Sequence, residues 1–118
     1  MAFRVKSSGP GDAVAQFDAY PNPTASQREA FPYFVVMQSD QLAQFGTRLV
    51  MPLARLQTRP RDVPRRLSQA VEVLGEMLYP VPHLLAALPL RVLSQPVASL
   101  RAQGPVFVDA LDAVVSGV

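Results

Sequence analysis

Cysteine and tryptophan are absent from this 118-residue chain, histidine occurs once, and charged residues make up only 17%. Without cysteine there is no disulfide, no thiolate metal site and no thiol nucleophile. A lone histidine, His83, leaves a zinc site short of its three or four N, O or S ligands. No apolar run approaches the roughly 18 residues that span a bilayer. The N-terminus also lacks the basic-then-apolar order of a secretory signal. The formal net charge is +2, carried by arginine except for the single Lys6, and gives no dense basic face. Direct nucleic-acid binding is therefore not expected. Gly9-Pro10-Gly11 lacks the lysine and the strand-to-helix setting of a phosphate-cradling loop, and no internal repeat occurs. These absences lead us to expect a cytoplasmic protein with no metal, no cofactor and no membrane association.

What is present is a 49% hydrophobic chain of single-domain size, apolar enough to bury a core. Ser7-Ser8-Gly9-Pro10-Gly11 marks residues 1–15 as a flexible extension outside the core, leaving 16–118 as the folded domain. Strands are expected over Gln16–Tyr20, Pro32–Gln38 and Thr47–Leu53, with Pro52 suited to an edge or a bulge. Gln38-Ser39-Asp40 is a polar break, and Gln41–Phe45 a turn or a single helical turn. Ala70–Val81 reads as a hairpin turning at Gly75, His83–Leu88 as helix-compatible, and Arg91-Val92-Leu93 as a last short strand. From Gly104 at the N-cap and Pro105 in the first turn, a helix runs to the chain end. Its stripe of Phe107, Leu111, Val114, Val115 and Val118 is expected to face the core, with Val108, Asp112 and Ser116 on another side. The expected fold is mainly β, a small antiparallel assembly followed by one C-terminal helix.

Groups that could carry chemistry are few. Ser39, Asp40 and His83 have the residue types of a hydrolytic triad but no nucleophile-elbow glycines, and His83 fits a hydrogen-bonded structural role beside Pro82. Asp109 and Asp112 are neighbours on the helix, yet no other polar group completes an acid–base site, so a solvated face is the simpler reading. Glu72 and Glu76 read as outward residues of the hairpin. Arg55, Arg59, Arg61, Arg65 and Arg66 form the strongest polar cluster, broken by Pro60 and Pro64. It is either a solvated charged loop or a surface for carboxylates of an acidic protein partner.

Six patches in order carry a resemblance: Gln16-Phe17-Asp18-Ala19-Tyr20, Val36-Met37-Gln38-Ser39-Asp40, Arg48-Leu49-Val50-Met51-Pro52-Leu53, Leu85-Ala86-Ala87-Leu88-Pro89, Pro96-Val97-Ala98-Ser99-Leu100, and the final helix with Gly117-Val118. Together with the hairpin through Gly75, they make residues 16–118 similar to CcdB, the toxin family of plasmid-type toxin–antitoxin pairs. The resemblance implies an SH3-like β-barrel with a small accessory sheet, and a homodimer. It further implies a non-enzymatic inhibitor that binds the A subunit of DNA gyrase, poisons the topoisomerase and is neutralised by a CcdA-like antitoxin. The implied target contacts are Gln41, Leu42, Asp112, Val115, Ser116, Gly117 and Val118. Well-studied members carry an apolar residue at the Gln41 position, asparagine at Asp112, phenylalanine at Val115 and tryptophan at Ser116. Aromatic anchors dominate interface energetics, so a CcdB-like protein with another target, or an inactive partner of the antitoxin, is the alternative. The arginine cluster would then receive the antitoxin's acidic residues.

Overall fold

The computed structural model describes residues 14–42, 44–58 and 69–116. Within them the strands are β1 (Asp18–Pro21), β2 (Tyr33–Val36), β3 (Thr47–Ala54), β4 (Val71–Val73), β5 (Glu76–Pro80), β6 (Ala86–Pro89) and β7 (Ala98–Ser99), followed by helix α1 (Gly104–Ser116). All pairings are antiparallel, in the order β4-β5-β3-β2-β1-β7 with β6 also on β3, and the sheet curls into a nearly closed barrel.

The apolar runs of β2 and of residues 49–54 in β3 follow from burial on both faces. Side chains alternate along a strand. Ala19, Val35, Met51 and Leu53 therefore point to one face, where they pack with Leu78, Leu100 and Phe107 of α1. Tyr20, Val36 and Val50 point to the other, against Val14 and Leu93. Val14 falls within the extension expected to lie outside the core, yet it is 6% exposed. The rest of that extension, residues 1–13, lies outside the described residues.

Several elements differ from the sequence reading. The first strand begins at Asp18 rather than Gln16 because Phe17 takes a left-handed backbone (φ 69°) in a turn closed by Asp18 N–H donating to Ala15 O at 3.1 Å. Its amide still donates to Val36 O at 2.7 Å, and its carbonyl accepts from Leu100 N–H at 2.8 Å. Pro52 is not on an edge strand. Its carbonyl accepts from Val81 N–H at 2.9 Å, so its donorless nitrogen faces the interval where the neighbour of β3 changes from β6 at Val50 to β5 at Leu53.

His83–Leu88 is helical only in the 3-10 turn Pro82–Leu84; β6 follows at once because β3 offers Val50, Leu49, Arg48 and Thr47 as partners. The strand expected at Arg91–Leu93 is instead a 3-10 turn, Leu90–Val92. The hairpin is as expected, turning through Leu74 (φ 52°) and Gly75 (φ 85°). Two positive φ values are the signature of the type I′ turn, which suits strand twist.

Helix α1 begins where expected, although Gly104 is itself helical and the chain enters through the 3-10 turn Arg101–Gln103. Its buried residues are Gly104, Phe107 and Ala110, with Val106 and Leu111 packed alongside. Val114 and Val115, expected on that stripe, are exposed instead, because the buried face ends at Leu111.

Candidate partner-binding surface

The described residues singled out for target binding fall on two structures, the turn after β2 and the end of α1. After β2, Met37 N–H still donates to Leu49 O at 2.8 Å, and the chain then leaves the sheet. Ser39 starts the 3-10 turn Asp40–Leu42: its Oγ accepts from Gln41 N–H at 3.2 Å and its carbonyl from Leu42 N–H at 3.0 Å. Short hydroxyl side chains favour such turns for this reason. Gln41 and Leu42 are both exposed.

Side chains tie this turn down at several points. Gln38 Oε1 accepts from Leu49 N–H at 3.3 Å, and Gln38 Nε2 donates to Leu42 O at 3.0 Å. Asp40 Oδ1 accepts from Gln16 N–H at 2.8 Å, and Gln16 Nε2 donates to Met37 O at 3.1 Å. Farther along, Arg48 is only 2% exposed and donates from Nη1 to the carbonyls of Phe45 (2.6 Å) and Thr47 (2.8 Å). By sequence, Arg48 is merely a strand residue and Gln38 part of a polar break. The one usable signal there is the Gln-Ser-Asp order itself.

Asp40 Oδ2 also lies 3.6 Å from Arg101 Nη2, just before α1. Asp18 belongs to the same patch. Burial pushes its carboxyl above the usual range, while the Ala15 N–H bond and Arg101 pull it down and Asp40 pushes it up. Nearby in sequence, burial raises the Tyr20 phenol to about 12, with the charge on Asp18 adding to the effect and Arg48 opposing it. The Tyr20 hydroxyl meets no hydrogen-bond partner among the described residues.

The 40–42 turn is thus linked to the entry of α1. Asp112, Val115 and Ser116 occupy its last turns, about 12 to 18 Å from Gly104 along the helix axis at 1.5 Å per residue. All three are exposed, Val115 at 77%, and Ser116 Oγ donates back to Asp112 O at 2.7 Å. No basic residue sits in the last turn. The helix end therefore combines an apolar side chain with the negative pole of the helix dipole and the carboxylate of Asp112. Gly117 and Val118 lie outside the described residues.

Of the arginine cluster, Arg59, Arg61, Arg65 and Arg66 also lie outside the described residues. Arg55 is already engaged: its Nε is 2.6 Å from Glu76 Oε2, and its Nη1 donates to the carbonyls of Arg28 (3.1 Å) and Glu29 (2.5 Å). Glu76, expected simply to face outward, is the partner that holds it. Glu72 faces outward, and its backbone N–H and C=O are both bonded by the Gln103 amide, at 2.9 and 3.0 Å.

Ser39 and Asp40 bond to their own turn and to Gln16, and His83 is exposed on the Pro82–Leu84 turn. The structural hydrogen bond expected of His83 is not found among the described residues. Nor is there, among them, a cluster of His, Asp and Glu able to hold a metal ion, or a helix long and apolar enough to cross a membrane. A groove of about 400 Å³ between Phe31, Phe34, Pro52 and Leu84 includes none of the candidate residues.

Comparison with protein families places this architecture. A family model described as CcdB protein matches residues 16–117, nearly the whole chain. A comparison with curated proteins gives no match.

Proposed function

The chain belongs to the CcdB family, and from that premise we propose that it is the toxin of a toxin–antitoxin pair, acting on the A subunit of DNA gyrase. Family membership supports the toxin reading in general terms. The observation that supports a docking mechanism is the end of α1, where Val115 stands 77% exposed beside Asp112 and Ser116 on a helix fixed at its other end by Phe107. Val108, seven residues earlier and so on the same helix face, is 55% exposed as well, and contiguous apolar surface rimmed by polar residues marks interaction sites.

In this reading the protein acts without bond-making chemistry of its own, in the cytoplasm and as a homodimer. Gln41 and Leu42 join Asp112, Val115, Ser116, Gly117 and Val118 as the target contacts. A CcdA-like antitoxin, ordering on binding, neutralises it through Arg59, Arg61, Arg65 and Arg66, with Arg55 as the anchored end of that cluster.

The experiment is expression without antitoxin. The proposal expects growth arrest accompanied by gyrase-linked DNA cleavage. The small side chain of Ser116 favours one other reading, a CcdB-fold protein with a different target or none. Arrest without cleavage would support a different target, and unimpaired growth an inactive antitoxin partner.

A further inference from the structure

The turn carrying Gln41 and Leu42 leaves a feature that packing does not explain. Leu42 is 42% exposed, and what fixes its backbone is a set of polar contacts rather than a hydrophobic seat. Its carbonyl accepts from Gln38 Nε2 at 3.0 Å and from Phe45 N–H at 3.2 Å, while its own N–H donates to Ser39 O at 3.0 Å.

Gln38 is the only one of these partners that reaches back to the barrel through a side chain, its Oε1 accepting from Leu49 N–H on β3. A primary amide carries a donor and an acceptor at once. It therefore joins the backbone of the sheet to the backbone of the turn with one half-buried side chain.

We propose that Gln38 is the positioning residue that presets Gln41 and Leu42 for docking. This rests on the reading of that turn as part of the target surface. Gln38 itself touches no partner: it keeps the turn in one arrangement before encounter. A glutamate there would keep the acceptor for Leu49 but lose the donor and set a negative charge against the Leu42 carbonyl. The docking-competent turn would then be a minority state, and apparent affinity falls by the fraction that remains competent. Because the loss arises from a conformational step before contact, it appears in the association rate. Truncating a contact residue acts instead on dissociation.

The test uses the full chain, the purified A subunit of gyrase, and the variants Gln38→Glu, Leu42→Ala and their combination. The proposal expects Gln38→Glu to slow association about fivefold with little change in dissociation, and Leu42→Ala to speed dissociation. In the Leu42→Ala background, Gln38→Glu should slow association by the same factor, since the competent fraction multiplies whatever affinity the contact supplies. A Gln38→Glu loss that lies in dissociation, with association unchanged, would overturn it. Amide exchange at Leu42 and Phe45, whose N–H groups close the turn on Ser39 O and Leu42 O, is measured on the free protein and separates the two possible failures. Faster exchange at these two amides in Gln38→Glu, with a wild type that does not bind gyrase, supports the clamp and removes the target. Unchanged exchange overturns the clamp whatever the target.

Discussion

The ring of Phe17 lies so close to Gly104 that a methyl group at residue 104 would come within 2.8 Å of Phe17 Cε2. The same ring stacks on Phe107, with centroids 6.0 Å apart and planes inclined by 20°. Phe17 therefore locks the start of α1 to the turn before β1, and these ring contacts help hold its left-handed backbone in place. Gly104→Ala is expected to destabilise by about 1–3 kcal/mol, as for overpacking in a filled core, because the ring cannot retreat without breaking its stack. Chemical denaturation checks this; stability equal to wild type would mean that the ring moves freely.

Tyr20 is 1% exposed and its hydroxyl lacks a partner among the described residues, so its phenol ionises near 12 in the fold. The unfolded chain loses this proton near 10. Between those values the native state holds more protons than the unfolded state, so stability falls as pH rises through this window. Tyr20→Phe removes both the unpartnered hydroxyl and the titration. At neutral pH it should be neutral or stabilising by up to about 1 kcal/mol. Between pH 10 and 12 it should show a shallower loss of stability than wild type, as read by urea unfolding across that range.

Leu74 occupies the first central position of the β4–β5 turn with φ 52°, and it is 68% exposed. A leucine there bears the left-handed penalty of about 1–2 kcal/mol without burial to offset it. Leu74→Asn creates the Asn-Gly pair favoured by type I′ turns. A higher thermal midpoint is expected, with a gain of about 0.5–1 kcal/mol; a lower one would show that Leu74 has a packing role.

The arginine cluster makes the antitoxin proposal sensitive to salt. If acidic residues are captured by Arg59, Arg61, Arg65 and Arg66, raising ionic strength from about 0.05 M to 0.3 M should weaken antitoxin binding several-fold, because the Debye length shortens through the range of such contacts. Calorimetry in the two buffers measures it. An affinity independent of salt would remove the electrostatic capture.

The C-terminal helix and the β4–β5 hairpin were legible because each carries its own signal, Pro105 with Phe107 and Leu111 in one case and Gly75 between apolar arms in the other. The six patches were legible as a family. The Ala86–Pro89 strand was not, since its alanines and leucines fit a helix and only pairing with β3 makes them extended. The left-handed Phe17 breaks the usual preference for glycine, so nothing local announced it. Val115 read as a core position because periodicity tells which residues share a face but not how far along the helix the core extends. For the site, Gln41 and Leu42 could be placed on a turn, but the amide of Gln38 and the buried guanidinium of Arg48 that hold its two sides became visible only in three dimensions.

The most direct measurement is calorimetric titration of the purified A subunit of gyrase with the wild-type chain and with Val115→Asp. Because Val115 is 77% exposed, the substitution should leave the thermal midpoint within a few degrees of wild type. The account predicts saturable binding by the wild type, weakened at least about tenfold, or roughly 1.4 kcal/mol, by the aspartate. Equal affinity of the two proteins, or no binding by a folded wild type, would contradict it.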